Sequence, residues 1–508
     1  MNDAVLIFGL TLLPMTLLAL ANWRHAFLAA LLAGFIQDPI RKLLSAQPVM
    51  MVVFCAFVLG FALVGAVAKQ GMVTLRPMAG NSKRTRTLLR VFLVYVLIEA
   101  GNALFRFNSI MIPAIGMLAY LTPIPALWLA YNYVRDPSDI RRFMRVYLVL
   151  GLIATAGIYL SNAGLDSVML KSIGGEMIIF DRVAGIVASH SGFMRSSEIS
   201  AWHAAAVACI AIVSMVSFGG ALSRIYTPAI VLFCTYGAIL TGRRKVLAVM
   251  ILFAAIYFLG LYYFKKRSNR RGGIVIALLA LMILLGAMTM APDVQNLSPY
   301  LMRSATVFAD AWDRLSRLGF ASIGWGLDAG GFFGLGTGAG AQGTQHFAEG
   351  AAVTVGGASE GGLGKITAEL GLPGLLLTFI CTWLVARQVR RAVASAATAD
   401  KQLLRLTLGL LAFVAANVPV FIGASQVYGD PFVLILLGSM LGFVLAAPRV
   451  LSLQQSRAAL RDLGPEPLRN APRPYAVRPS AVRGERAALD KATWGDEDEP
   501  ANETDHAR

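Results

Sequence analysis

VLAVMILFAAIYFLGLYYF, Val246 to Phe264, followed at once by KKRSNRR, Lys265 to Arg271, decides the fold. Nineteen residues pass without a charge. At about 1.5 Å per residue they make a helix of roughly 28 Å, close to the hydrocarbon thickness of a bilayer. The basic run that stops it is what holds a helix end on the cytoplasmic side.

Working outward, similar apolar runs recur along most of the chain. The hydropathy pattern places candidate spans at residues 4–21, 26–36, 49–68, 88–105, 111–134, 146–160, 199–216, 226–240, 246–264, 274–290, 366–385, 406–422 and 431–447. The run at 26–36 is short for a full crossing. The expected fold is an all-α polytopic membrane protein with about 12–13 transmembrane helices. Composition agrees: 57% of the residues are hydrophobic, only 14% are charged, and mean hydropathy is +0.65. A water-soluble domain carries about a quarter charged residues.

The formal charge of +17, from 45 Lys and Arg against 28 Asp and Glu, does not form a nucleic-acid-binding stripe. It collects in clusters between spans: Lys69 to Arg90, Arg135 to Arg145, Lys265 to Arg271 and RQVRR at Arg387 to Arg391. All four lie inside if the spans alternate, so the chain reads as multi-pass with lipid as its solvent. The first span has no basic stretch before it and no small-residue cleavage site after it, and so reads as retained. Cys55, Cys209, Cys234 and Cys381 all fall in apolar stretches without a CxxC pair, which points to neither a disulfide framework nor a zinc site.

Four regions follow. Residues 1–290 are transmembrane helices with an outer loop at 161–198. Residues 291–365 form a large periplasmic loop, 366–450 the C-terminal helices, and 451–508 a Pro- and Arg-rich tail expected to be disordered in the cytoplasm. Within the large loop Leu301, Ala305, Phe308, Trp312 and Leu315 recur at helical spacing, predicting one amphipathic helix that carries Arg303, Asp310, Asp313 and Arg314. The stretch Gly319 to Gly343 that follows reads as a flexible loop outside the membrane. Its GAGAQG at Gly338 to Gly343 has no preceding strand to make it a nucleotide motif.

One cluster disobeys the charge rule. In TGRRK, alternation puts Arg243, Arg244 and Lys245 outside, on the face where Arg195 and Arg303 also flank spans. Such residues either snorkel at helix ends or build an anion site. A lipid diphosphate suits the second, because guanidinium groups pair with phosphate oxygens and stabilise charge on a departing diphosphate. Glu99, inside an apolar run, is either a substrate-binding carboxylate or one paired structurally with Asn102, Arg106 or a neighbouring helix. Glu198 and His203 would line the outer cavity, and Trp202 would mark the interface.

Four blocks carry a family resemblance: IEAGNALFRFNS from Ile98, GFMRSSEISAWHAAAVA from Gly192, LTGRRKVLAV from Leu240, and MRSATVFADAW from Met302 with SEGGLGKITAELGLPGLL from Ser359. On these the chain resembles the O-antigen ligase and O-antigen polymerase-like superfamily over roughly residues 92–442. That resemblance implies a GT-C-like membrane glycosyltransferase, multi-pass in a bacterial inner membrane, with no cofactor and no metal. Its partners would be membrane lipid, a polyprenyl diphosphate-linked oligosaccharide and other polysaccharide export proteins, and no nucleic acid. It assigns diphosphate binding to Arg195, Arg243 or Arg244, and Arg303. Many ligases of this type place a histidine nine residues before the Glu of the E-x-G step; here Glu360 stands nine before Glu369. Glu360 is therefore the expected general base, with His346 as the other candidate. The missing histidine favours an exopolysaccharide or O-antigen polymerase over a ligase to the lipid A core. A transporter of a sugar, lipid or inorganic anion is the rival of another class, although no inverted repeat is evident.

Overall fold

The computed structural model describes residues 3–80, 82–173, 177–181, 185–264, 298–305, 311–341, 344, 355 and 360–462. Among them ten helices are long and apolar enough to cross a membrane, which makes this a multi-pass, predominantly α-helical membrane protein. The expected span at 274–290 lies outside the described residues. The chain divides at residue 447, and of the second unit a helix, Ala447–Asp462, is described. The tail expected to be disordered from residue 451 is thus helical to Asp462, and its remainder lies outside the described residues.

The first unit begins with α1 (Asp3–Leu43) and α2 (Phe54–Gln70), then α3 (Lys83–Phe107), α4 (Met111–Leu121), α5 (Pro123–Tyr133) and α6 (Pro137–Asn162). The first two expected spans are not a hairpin with a loop between them. They are one element broken at Asn22, whose backbone turns extended (φ −154°) while its side-chain Oδ1 accepts the Arg24 N–H at 3.1 Å. A side-chain oxygen that takes up an N-terminal N–H is how a second helical segment starts.

After α6 the outer segment expected at 161–198 includes an antiparallel hairpin, β1 (Met177–Asp181) and β2 (Gly185–Ser189), paired from Met177 with Ser189 to Asp181 with Gly185. Three long helices follow: α7 (Ser197–Phe218), α8 (Ala221–Leu240) and α9 (Lys245–Phe264). The centre of the unit is α7. Of its most apolar stretch 83% is buried inside the protein, against 11–50% for the other nine candidate spans, whose exposed apolar sides face lipid.

The amphipathic helix expected from Leu301 to Leu315 is described in part. α10 covers Pro299–Ala305, Phe308 and Asp310 lie outside the described residues, and Ala311–Arg314 leads into a wider π-helical turn, Leu315–Ala321, and α11 (Ser322–Gly330). The unit ends with α12 (Gly362–Ala399), α13 (Lys401–Gly423) and α14 (Pro431–Leu445). Gly438 and Gly442 of α14, four apart, sit directly against the backbone of Pro123 and Leu127. This is the small-residue approach that replaces hydrophobic driving force between helices in lipid.

The glycine-rich stretch differs most from its expected form. It is not a loose loop. Gly334 and the run Gly336–Gly340 are buried. Leu335 and Gly336 donate backbone hydrogen bonds to Ala368 and Glu369 of α12 at 2.8 and 2.9 Å, and Thr337 donates to the Glu99 carbonyl of α3 at 3.2 Å. A Cβ on Gly338, already left-handed at φ +88°, would overlap the Ile112 carbonyl of α4. α12 breaks at Gly371 (φ +65°), which admits the backbone of Phe332 and Phe333. Glycine serves close approach here, not freedom of movement.

Candidate functional site

Two short connections organise one end of the unit. The first is the turn between α8 and α9. Its Gly242 is left-handed and lies under Ile179 and Val187 of the hairpin, while Ser189 Oγ donates to the Thr241 carbonyl at 3.0 Å. Arg303 of α10 donates from Nε to the Gly242 carbonyl at 2.8 Å. Held in this way, the turn points its cations at the start of α7.

Arg243 donates to Ser197 Oγ at 3.0 Å and pairs with Glu198 Oε1 at 3.2 Å. Lys245 Nζ reaches the same Glu198 oxygen at 3.1 Å and Gln426 Oε1 at 2.6 Å, and Arg314 adds a further positive field on Lys245. Burial lowers the Arg243 pKa, with Glu198 opposing it, and the group stays a cation at any physiological pH. One carboxylate therefore serves two bonded cations, beside Arg303 and Arg314.

The second connection is residues 424–430 between α13 and α14. Ser425 N–H donates to the Glu360 carbonyl at 2.6 Å, Gln426 accepts from Lys245, and Tyr428 donates to Asn417 at 2.9 Å. Asp430 caps α14 through the Val433 N–H at 2.9 Å. The side chain of Glu360 is exposed at this connection. Beneath it opens a cavity of about 320 Å³, mostly apolar, lined among others by Phe92, Tyr120, Lys365, Phe421 and Tyr428.

Arg195 is placed otherwise. Its guanidinium lies 2.5 Å from Asp430 Oδ2 and 3.6 Å from Asp38 Oδ1, and its N–H donates to Asp38 Oδ2 at 2.9 Å. Burial alone would lower its pKa, but the Asp430 and Asp38 carboxylates outweigh that and hold it raised. Its guanidinium is ion-paired with two buried carboxylates, so its role here is to tie α1, the approach to α7 and the start of α14 together.

Glu99 also stands apart from the cations. It accepts from Asn102 Nδ2 at 2.9 Å, one of the partners expected for it, and Asn102 donates onward to the Gly334 carbonyl at 3.3 Å. Trp202 and His203 are buried, not interfacial or cavity-lining: Trp202 donates to Asn417 Oδ1 at 2.8 Å, and His203 Nδ1 meets Tyr147 OH at 2.9 Å. His346 lies outside the described residues. Arg244 occupies the α8–α9 turn beside Arg243, half-buried.

Two groups at this end escape a reading from sequence. Glu369, fully buried, accepts the Gly340 N–H at 3.0 Å and the Tyr120 hydroxyl at 2.8 Å, and so fastens the glycine ribbon to α12. Gln426 bridges the two connections through Lys245. Depth in an apolar run marks Glu369 as it marks Glu99; nothing local marks Gln426. Among the described residues no three His, Cys, Asp or Glu side chains converge as a metal site would require. Compared with known proteins, the chain matches no family model, and no curated protein aligns with it significantly.

Proposed function

We propose that the protein is a membrane glycosyltransferase of the O-antigen polymerase and ligase type, GT-C-like, in a bacterial inner membrane with the cation-rich end facing the periplasm. The observation that carries the reading is the Arg243–Lys245–Glu198 cluster with Arg303 of α10 bonded to the same turn, which gathers three cationic side chains at one helix-bundle end. Guanidinium and ammonium groups so placed suit the diphosphate of a polyprenyl-linked oligosaccharide. The apolar cavity below residues 424–430 suits part of its isoprenoid chain, with Lys365 at its wall.

In the reaction, an acceptor sugar hydroxyl attacks the anomeric carbon of the donor. The bond from that carbon to the diphosphate oxygen breaks, the electron pair leaves with the diphosphate, and the cations stabilise it there. The acceptor proton passes to a carboxylate, assigned to Glu360 because it stands at the 424–430 connection that also receives Lys245. An exopolysaccharide or O-antigen polymerase is preferred over a ligase, since a carboxylate stands where the ligase pattern has histidine.

The glycan profile of a deletion strain tests this. Loss of polymer with accumulated single repeat units supports a polymerase, intact polymer unattached to lipid A core supports a ligase, and an unchanged profile rejects both. A transporter is the second reading, and the buried Asp38–Arg195–Asp430 network speaks for it, because ionisable groups within membrane helices often line ion paths. For Glu360→Gln the polymerase reading predicts a loss of polymer at normal protein level; a transporter would tolerate it.

A further inference from the structure

The segment from Trp312 to Phe333 carries a second face that the proposed chemistry does not use. Trp312, Phe320, Trp325, Phe332 and Phe333 each leave between 42% and 76% of their surface uncovered. A segment standing in water would expose an aromatic patch of the kind that marks an interaction surface. The charged residues Asp313, Arg314, Arg317 and Asp328 of the same segment are exposed too, and Arg317 makes two 2.6 Å hydrogen bonds to Asp313.

Its height relative to the bilayer follows from α12. Leu372 N–H donates to the Phe332 carbonyl at 2.9 Å, which fixes Phe332 and Phe333 beside Gly371. From Gly371 the helix stays uncharged until Arg387. Those sixteen residues rise about 24 Å, less than the roughly 30 Å hydrocarbon core. With Arg387, Arg390 and Arg391 held at one surface, Gly371 cannot stand clear of the opposite one. α3 agrees: Gly336 rests on Ala103, and Arg90 and Phe107 stand only seventeen positions, about 26 Å, apart. Along α12 from Gly371 toward the basic end, Leu376, Phe379, Ile380 and Trp383 are exposed as well.

We infer that residues 312–333 are an interfacial membrane element, with the aromatic side chains sunk into the acyl–headgroup boundary of the leaflet opposite the basic helix ends. Their cover is bilayer lipid, since Phe332 and Phe333 are fixed beside Gly371, which cannot stand clear of the membrane. Tryptophan and phenylalanine gain from such a boundary, and the Asp313–Arg317 pair stays on the wet side. This moves the central part of the expected periplasmic loop into the membrane surface. The inference stands independently of the glycosyltransferase reading.

Site-directed spin labels test it in the full chain reconstituted in phosphatidylethanolamine and phosphatidylglycerol vesicles; the four native cysteines are buried. Labels on Phe333→Cys and Trp325→Cys should collide more with oxygen than with a water-soluble nickel chelate equilibrated on both sides. A label on Asp313→Cys should show the reverse order. Greater collision with the chelate at position 325 or 333 overturns the inference in favour of a water-facing loop. Shielding of either position from both reagents overturns it in favour of a protein cover.

Discussion

Arg195 and Arg243 are both expected phosphate ligands, and their surroundings separate them. Arg195 lies between two buried carboxylates, while Arg243 shares one carboxylate oxygen with Lys245. Truncating Arg195 strands two negative charges in a low-dielectric interior, which costs about 3–5 kcal/mol. Arg195→Ala is therefore expected to lower the thermal midpoint and the membrane level of the protein. Arg243→Ala should leave both nearly unchanged and abolish high-molecular-weight glycan; a normal chain length in Arg243→Ala would remove it from the site. The difference was not legible locally, because Asp38 stands 157 residues from Arg195 in sequence and nothing near either announces the other.

At the scale of elements, the glycine ribbon decides how the large loop is built. Composition alone does not distinguish glycine chosen for freedom from glycine chosen for close approach, so residues 319–343 read as flexible. The packing of Gly338 on α4 shows the second use. Gly338→Ala is expected to destabilise by a few kcal/mol, since it adds backbone strain at a left-handed position to steric overlap with Ile112. The check is thermal unfolding in detergent, and an unaltered midpoint would show that the ribbon is loosely seated. By contrast, Gly423→Ala, where a Cβ meets nothing, should be close to neutral. The spans themselves were legible, because lipid leaves so few ways to satisfy a backbone that twenty apolar residues nearly dictate a helix. Asn22 shows the limit: hydropathy located two runs, and a single capping contact made them one broken element.

For the whole molecule, the arrangement requires opposite ends. On the proposed reading the TGRRK turn faces the periplasm and the RQVRR end of α12 the cytoplasm. A cysteine at Arg244 should react with a membrane-impermeant thiol reagent in intact spheroplasts, and one at Arg390 only after lysis. Equal labelling of both would refute the topology. The two-ended design leaves the cationic connections beside the apolar cavity, which is where a charged head on a long lipid tail would need them. The measurement that bears most directly on this is binding of a polyprenyl diphosphate to the purified protein, compared with the monophosphate and with Arg243→Ala. The account predicts tighter binding of the diphosphate and a loss of about tenfold or more in the variant, the worth of a charge-assisted hydrogen bond. Equal affinity for the two lipids, unaffected by Arg243→Ala, would contradict it.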